Sequence, residues 1–494
     1  MHRSIHALSR ALATSVALPL SLSAITVAAQ AASLETAAQS LGVAQVQSLE
    51  FSGHGRWFQF GQAPAPELPW PQFDVSRYVA SIDYAAPAAR VQINRLQTIE
   101  PQRVRPVPVE QKVDQYVSGT TAWNVGVAPA AANATAQPAA VEERTAEISA
   151  TPQGFLKAAL THKAVSRPAN GGVEVSFNAG KYRYVGWINA QDRVERVRTW
   201  IDNPILGDTL VETRFEGYKD FSGVTFPARI QRTLGGHPVL DIAVADVKLN
   251  GVAAIKAPDT VVTGTPAINV TVNRLADGVF YLNGGTHHSV AIEQKDHVVL
   301  VEAPQSEARA QAVIDKIKET LPGKPIRYVV NSHAHFDHSG GLRTLVAEGA
   351  TVVTHQGNVD YYKKAWAAPR TLNKDRLAQA PKAAAFEGFT GKHVLSDGKR
   401  QIEVYPIAGN THNDAFALVY LPAEKILIEG DAYTPLAANA KPPATPNPYA
   451  VNLQENIEKL KLDVEHIAAL HGPGVVKLAD LKAYNTPSQV VGSR

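Results

Sequence analysis

The most constraining feature of this chain is the segment 331–341, NSHAHFDHSGG, in which three histidines and one aspartate fall within six residues. An apolar strand candidate, 326–330, comes directly before it, so the segment is predicted to be a loop at the carboxyl end of a strand. Ligands bind at that edge of α/β sheets. So many imidazoles in one loop favour a metal site over a surface cluster without a role. His333 and His335 are expected to point to the same side, with Asp337 and His338 placed to hold a second ion.

Composition limits the kind of metal site and the kind of partner. The chain has 494 residues and no cysteine, which excludes disulfides, zinc fingers, iron–sulfur clusters and a cysteine nucleophile. Any metal site must therefore be built from histidines and carboxylates. The 48 basic residues are nearly balanced by 45 acidic ones, so no nucleic-acid partner is expected. An apolar fraction of 45% is enough for a core and argues against wholesale disorder.

Residues 1–31 have the pattern of a secretory signal peptide. Two arginines and no acid precede an apolar run from 11 to 29, which ends in the cleavage-site pattern AQA at 29–31. A membrane anchor is the weaker alternative, because serine and threonine interrupt the run and no basic stop-transfer flank follows it. We therefore expect an exported protein, periplasmic or secreted, with no stable membrane anchor.

The rest of the chain has two regions with different patterns of apolar residues. Residues 32–260 carry short alternating stretches separated by turn residues, which predicts a β-rich N-terminal domain with an Ala/Pro-rich linker near 125–152. From 265 to 494, apolar runs alternate with helical periods, which predicts an α/β layered domain. In the first part we expect a helix at 154–160 and strands at 173–177, 182–188, 194–201, 209–215 and 239–247. In the second part we expect strands at 298–301, 326–330, 351–354, 404–407, 416–421 and 426–428, and helices at 310–321, at 342–347 and from Asn452.

Three more candidate ligands lie at comparable positions further along the chain. His412 comes just before the strand candidate 416–421, Asp431 follows the strand candidate 426–428, and His471 ends an apolar run. A structural role explains each of them well when it is taken singly. Together with the first cluster, they complete two ligand shells.

Residues 265–494 resemble the metallo-β-lactamase-fold hydrolases, through HAHFDH at 333–338 and through the GNTH, GDAY and LHGPG segments further on. The resemblance implies an α/β fold, an αββα metallo-β-lactamase-fold sandwich, here preceded by a β-rich N-terminal domain. It also implies two metal ions per chain, most often Zn²⁺, with iron and manganese as alternatives. In this family pattern one zinc is bound by His333, His335 and His412, the second by Asp337, His338 and His471, and Asp431 bridges the two.

The complete ligand set looks more like that of glyoxalase II and the lactonases than that of the lactamases. Lactamase subclasses with a cysteine ligand are excluded, and another subclass typically has serine where Asp431 stands. The sequence therefore predicts an exported dinuclear zinc hydrolase that cleaves an ester, a thioester or a lactone of a small-molecule substrate. Metal-activated hydroxide, oriented by Asp337, would attack the carbonyl. The alternatives are a β-lactam-hydrolysing enzyme, a sulfatase-type enzyme, a single-iron sulfur dioxygenase and a non-catalytic metal-binding module. The oligomeric state is left open.

Several residues near these motifs have two interpretations. Tyr433 is predicted to be a catalytic residue that donates a hydrogen bond to the substrate, with simple packing as an equal alternative. His287 and His288 are expected to border the site in a hydrogen-bonded surface role, although they could contact substrate, and His355 is expected to be structural. The polar insertion 359–398 is either a flap over the pocket or ordinary core, and its aromatic residues are Tyr361, Tyr362, Trp366 and Phe386.

Overall fold

The computed structural model describes residues 32–128, 130–262 and 268–486. The predicted signal peptide, residues 1–31, lies outside the described residues. In the described ranges, no helix is both long and apolar enough to cross a membrane.

The N-terminal half of the described chain is built around one large antiparallel sheet. Its strands are β1 (Ser48–Phe58), β2 (Gln72–Asp83), β3 (Ala88–Gln97), β4 (Gln111–Ser118), β5 (Thr121–Val125), β6 (Ala134–Ala136), β7 (Val165–Ala169), β8 (Gly172–Ala179), β9 (Tyr182–Ile188), β10 (Val194–Asn203), β11 (Gly207–Glu216), β14 (Arg229–Leu234) and β15 (His237–Leu249). The small hairpin β12 (Lys219–Phe221) and β13 (Val224–Phe226) and the helices α1 (Leu34–Ser40), α2 (Val141–Ile148), α3 (Pro152–Thr161) and α4 (Asp259–Val262) complete this half, with short 3₁₀ turns at Val43–Gln45 and Pro138–Ala140.

The strand order of this sheet is β6-β5-β4-β3-β2-β1-β15-β14-β11-β10-β9-β8-β7. The five predicted strands are confirmed as β8, β9, β10, β11 and β15, and the predicted helix is confirmed as α3. Alternate residues of the strands face a common core, where Phe155 and Leu156 of α3 are completely buried. The alternation of apolar and polar residues in the sequence therefore indicates a sheet with one buried face.

Secondary structure occupies part of the stretch in which composition predicts a linker. Strand β6 and helix α2 lie within 125–152, and α2 buries Ala146 and Ile148. The two buried residues lie two positions apart on α2, and the helix packs through them against the neighbouring strands.

The C-terminal half contains two mixed sheets and seven helices within the described residues. The first sheet has β16 (Thr271–Ala276), β17 (Val279–Asn283), β18 (Ser289–Glu293), β19 (Val298–Val301), β20 (Ile326–Val330), β21 (Thr351–His355) and β22 (Phe386–Phe389) in that order. The second has β23 (His393–Ser396), β24 (Gln401–Pro406), β25 (Ala417–Leu421), β26 (Ile426–Glu429), β27 (His466–Ala469) and β28 (Val475–Lys477). The helices are α5 (Glu307–Thr320), α6 (Phe336–Ser339), α7 (Leu342–Glu348), α8 (Gln356–Trp366), α9 (Arg376–Gln379), α10 (Pro448–Lys459) and α11 (Leu478–Asn485).

Three apolar clusters show that these elements form four layers. One cluster joins the two sheets, with Val299 of β19 and Val419 of β25 among its buried members. A second packs the outer face of the first sheet against α5, α7 and α8, and a third packs the second sheet against α10 and α11. Both faces of each sheet are thus covered, which explains why strands such as β19 are apolar at every position. The αββα sandwich predicted from the sequence is confirmed.

The start of α10 is the clearest error in the predicted elements. The sequence pattern Asn452 to Glu455 predicts the helix start, but α10 begins at Pro448 and Asn452 lies inside it. The side chain of Asn447 accepts the hydrogen bond from the Tyr449 N–H and acts as the N-cap. Proline at the first helical position makes Asn447–Pro448 the stronger start signal.

The aromatic residues of the insertion 359–398 belong to the core and do not form a flap. Tyr362 is completely buried, and its ring stacks on Trp366 at 5.4 Å between centroids. Trp366 and Phe386 pack against the same cluster as α5 and α7. Further along the insertion, Arg370 donates hydrogen bonds to the backbone carbonyls of Asn203 and Ile205 in the N-terminal half. The insertion therefore ties the two halves together.

Removing the Tyr362 hydroxyl should destabilise the fold, because that hydroxyl donates a 2.6 Å hydrogen bond to the buried Asn331 Oδ1. We expect Tyr362→Phe to lower the free energy of unfolding by about 1–2 kcal/mol in chemical denaturation. Tyr361→Phe is the matched control, because the neighbouring hydroxyl makes no hydrogen bond to any described residue. Equal effects of the two substitutions would contradict this account.

Candidate metal centre

Four side chains from three loops form a first group of ligand atoms. His333 and His335 come from the loop after β20, His412 from the loop before β25 and Asp431 from the loop after β26, and one ligand atom of each lies within 4.8 Å of all the others. His412 Nε2 lies 3.3 Å from His333 Nε2 and 3.2 Å from Asp431 Oδ2. Such separations match those of neighbouring atoms bound at about 2.0–2.1 Å to one tetrahedral ion.

A second group lies beside the first and consists of His287, Asp337 and His338, again within 4.8 Å of one another. His287 comes from the turn between β17 and β18, and its Nε2 lies 3.2 Å from Asp337 Oδ2. The ring of His471 is 4.4 Å from that of His287, and the backbones of the two residues form an isolated β-bridge. The structure therefore brings all seven predicted metal ligands into one place and adds His287, which the sequence interpretation assigned to the surface.

The Asp431 carboxylate lies between the two groups. Its Oδ2 faces His412 of the first group, and its Oδ1 lies 3.0 Å from Nε2 of His338 in the second. His471 Nδ1 approaches the same Oδ1 at 3.6 Å. One carboxylate oxygen turned toward each group is the arrangement of a bridging ligand.

The buried polar atoms test whether a metal fits these residues. His335 Nδ1 is buried and makes no hydrogen bond to any described residue, whereas His338 Nε2 and Asp431 Oδ1 are buried and form an ion-pair contact with each other at 3.0 Å without a well-aligned hydrogen bond. Buried polar atoms are normally satisfied, since leaving one unpaired costs about 1–3 kcal/mol. One buried nitrogen without a partner beside a close imidazole–carboxylate contact, all of atom types that bind divalent cations, fits bound metal.

Burial keeps two of the histidines in the neutral form that binds metal. Burial, helped by the neighbouring imidazoles, holds the pKa of His333 well below its usual range, and burial together with His412 lowers the pKa of His335 to about 3. For His338, burial opposes protonation, but the Asp431 and Asp337 carboxylates outweigh it and hold the pKa well above the usual value. A bound cation would satisfy the same carboxylates in place of that proton.

Glu302 is a completely buried carboxylate that sequence reasoning missed. It follows β19 directly, and its side chain accepts hydrogen bonds from His338 Nδ1 at 3.0 Å and from Asn331 Nδ2 at 3.0 Å. Because Nδ1 of His338 donates to Glu302, its Nε2 is left to face the ligand group. The available signal was an acid placed at the end of an otherwise apolar strand, VVLVE.

The segment 59–64 of the N-terminal half forms hydrogen bonds with the segment 331–341, which is called the metal-site loop below. Gln62 Nε2 donates to Asp337 Oδ1 at 2.8 Å across 275 sequence positions. The carbonyl of Ala63 accepts from His335 Nε2 at 2.9 Å, which leaves Nδ1 of His335 as its ligand atom. Gly61 has a φ of +77°, and a Cβ there would lie 2.6 Å from the Phe336 ring, so this close approach requires glycine. No local sequence signal reports such a distant contact.

The structure also shows the surroundings of the other residues singled out in the sequence. Tyr433 is 3% exposed and packs against the Tyr484 ring at 5.2 Å in an apolar cluster, which favours packing over a role as a substrate donor. The predicted surface role of His287 and His288 is wrong, because they are only 7% and 1% exposed. His288 Nε2 donates to the Gly472 carbonyl. The structural role of His355 is confirmed, since its Nδ1 accepts the Gly357 N–H and caps α8.

Residues 282–469 match the family model of the metallo-beta-lactamase superfamily. This part of the chain is therefore a metallo-beta-lactamase superfamily domain. A solved metallo-beta-lactamase from Pontibacter korlensis is 20% identical and aligns with 44% of this chain and 97% of its own, at a TM-score of 0.33.

Two curated proteins are also similar over shorter stretches. The alpha subunit of 2,4-dinitroanisole O-demethylase from Nocardioides sp. (strain JS1661) is 23% identical over 168 residues, which are 33% of this chain and 46% of that protein. A linear primary-alkylsulfatase from Pseudomonas sp. is 31% identical over 75 residues, which are 15% of this chain and 11% of that protein. This chain thus spans less than half the length of either relative in the matched region.

Replacing Glu302 should weaken metal binding because the substitution removes the acceptor that orients His338. We expect Glu302→Gln to lower the affinity for added Zn²⁺ by about 10–100-fold in competition with a chromophoric chelator. Glu319→Gln is the control, because Glu319 lies on the exposed face of α5 and pairs with Lys316. Unchanged affinity in the Glu302 variant would contradict an orienting role.

Proposed function

We propose that the protein is an exported dinuclear zinc hydrolase that cleaves an ester, a thioester or a lactone of a small molecule. The observation that supports this most strongly is the pair of adjacent ligand groups with the Asp431 carboxylate between them. Two sites sharing a carboxylate suit hydrolysis, in which both the attacking and the leaving oxygen must be stabilised. The superfamily assignment of residues 282–469 is consistent with this proposal.

The residues that would hold the two ions follow from the geometry. His333, His335 and His412 would bind one ion, and Asp337 and His338 the other, with Asp431 shared. His287 belongs to the second group and the His471 ring lies 4.4 Å from it, so either imidazole is available to complete that ion's ligands. When bound, the ions supply Lewis acidity and lower the pKa of water. Zinc suits a set made only of imidazoles and carboxylates, with iron and manganese as the alternatives.

Asp337 has the position of a working carboxylate. Its side chain is about one-third exposed, whereas the neighbouring His338 is completely buried. The His338 and His287 imidazoles outweigh the effect of burial and hold the pKa of Asp337 well below its usual value, so it is charged at neutral pH. Gln62 fixes one of its oxygens and His287 contacts the other. A charged, oriented and accessible carboxylate can accept a hydrogen bond from a water molecule and hold it in position.

A sulfate ester is a second candidate substrate because of the alkylsulfatase similarity. That match covers only a small part of both proteins, so the sulfate ester bond is included here as a bond to test. Export rests on the leader pattern of residues 1–31.

Metal content and bond class can be tested together on protein purified without chelator. We expect about two zinc ions per chain by elemental analysis. We also expect turnover of at least one substrate from a panel of a p-nitrophenyl ester, a thioester, an acyl lactone, an alkyl sulfate and nitrocefin. Turnover of nitrocefin alone would move the assignment to β-lactam hydrolysis. One iron per chain with no hydrolysis would overturn the proposal in favour of an oxygen-dependent enzyme.

Asp337→Ala separates a catalytic centre from a purely structural metal site. Because Asp337 combines charge with access to solvent, we expect the variant to keep its circular dichroism spectrum and to lose at least about 10²-fold in kcat. Asp360→Ala is the control, since Asp360 lies exposed on α8. A variant that unfolds, or that retains full turnover, would count against catalysis at this site.

A further inference from the structure

A cavity of about 440 Å³ lies in the N-terminal half, between strands β1–β4, helix α2 and the metal-site loop. This volume is within the range of small-molecule binding sites. The cavity reaches the metal centre directly, because Phe336, Asp337 and Gln62 all form part of its wall. The carboxylate assigned to the second ligand group thus also borders the cavity.

Apolar or aromatic residues make up 13 of the 21 residues in the wall, and the others are polar or charged. Ala89, Val91 and Ile93 are alternate residues of β3 and turn the same face of the sheet toward the cavity. Trp57 of β1 and Phe60, which follows it, extend this lining toward Phe336, with the Phe60 and Phe336 rings 5.1 Å apart. An apolar lining of this kind favours an aliphatic or aromatic ligand body over a sugar or a nucleotide.

Helix α2 and strand β14 add four charged side chains to the wall, and three of them are already engaged. Glu147 forms an ion pair with Arg232. Arg144 donates hydrogen bonds to the carbonyls of Tyr116 and Trp123 and to the Asn124 side chain. Glu143 makes no hydrogen bond or ion pair with any residue that the structure describes. It is therefore the free polar acceptor among these four groups.

The surroundings of Glu143 make a ligand donor favourable. Burial and the neighbouring Glu147 raise the pKa of Glu143 to about 7, against the opposing effect of Arg232 and Arg144. The Glu143 carboxylate borders the cavity, so a hydrogen-bond donor from a ligand would stabilise its charged form.

We propose that this cavity is the substrate chamber of the metal centre and takes an amphipathic molecule with an apolar chain, whose hydroxyl or amino group is received by Glu143 while the bond to be cleaved lies beside Asp337. The placement of the bond to be cleaved beside Asp337 rests on the proposed hydrolase function. The ligand site itself is independent of turnover.

The test is calorimetric titration of the full chain at pH 8 with octylamine, octanol and octanoate, which share one chain and differ in the end group. We expect octanoate to bind at least about tenfold more weakly than octylamine, because hydrogen bonds to charged groups contribute about 1.5–3 kcal/mol. Glu143→Gln should weaken octylamine binding by about the same factor and remove its advantage over octanoate. Glu142→Gln is the matched control, since the adjacent Glu142 is paired with Lys181.

A cavity-filling variant tests the location. Val91→Trp should weaken both octylamine and octanol by about tenfold or more, because the indole occupies the space of the chain. Its fold is checked by circular dichroism, and the conservative Glu143→Gln keeps the proposal testable if Val91→Trp does not fold. Octanoate binding as tightly as octylamine, or no effect of either Glu143→Gln or a folded Val91→Trp, would overturn the chamber.

Turnover separates the two proposals. If the protein hydrolyses p-nitrophenyl octanoate, Val91→Trp should raise KM for this ester and leave KM for p-nitrophenyl acetate nearly unchanged. Hydrolysis with both KM values unchanged would overturn the chamber and keep the hydrolase. Octylamine binding that depends on Glu143, with none of the panel hydrolysed, would keep the ligand site and overturn the hydrolase.

Discussion

The Asp431 carboxylate, with one oxygen turned toward each of two groups of buried ligand atoms, is the interaction on which the rest of the site depends. Without a cation, this arrangement leaves His335 Nδ1 buried with no hydrogen bond, and it leaves His338 Nε2 and Asp431 Oδ1 buried in an ion-pair contact with each other. Desolvation of that kind is unfavourable, and a compact fold tolerates it only where binding provides compensation. The ligand side chains lie in loops at the ends of strands of both sheets, so the sandwich must form before these side chains come together.

In each ligand group, side chains that face the candidate metal position also form a hydrogen bond to a residue outside the group. Some of these bonds come from the N-terminal half, which therefore helps to orient the ligands. Glu302 orients His338 from within the sandwich. The Ala63 carbonyl orients His335, and Gln62 orients Asp337, both from the segment that follows β1. Such supporting bonds select the nitrogen that faces the metal. The loop between β1 and β2 of the large antiparallel sheet therefore helps to orient the side chains of the candidate metal centre.

What the sequence could predict depended on whether the signal was local. The loop 331–341 follows a buried strand, and both its place in the sandwich and its ligand types can be read within a few residues. The predicted start of α10 is wrong because Asn452 and Glu455 have the spacing of a helix-capping pattern, whereas the helix is capped by Asn447 and begins at Pro448. The hairpin that holds His287 predicts a hydrogen-bonded surface role for it. Its burial comes from His471 across the sheet edge, and Gln62 likewise reaches the site only through tertiary contacts.

Asp337 connects the two parts of the molecule in chemical terms. Its carboxylate belongs to the second ligand group and also borders the cavity in the N-terminal half. A ligand in that cavity would displace solvent around Asp337, and removing water strengthens the electrostatic interactions of a charged group. Filling the cavity would therefore change the environment of the metal centre as well as position a substrate. On this view the β-rich half determines both which molecules reach the metal centre and how strongly its charges act on them.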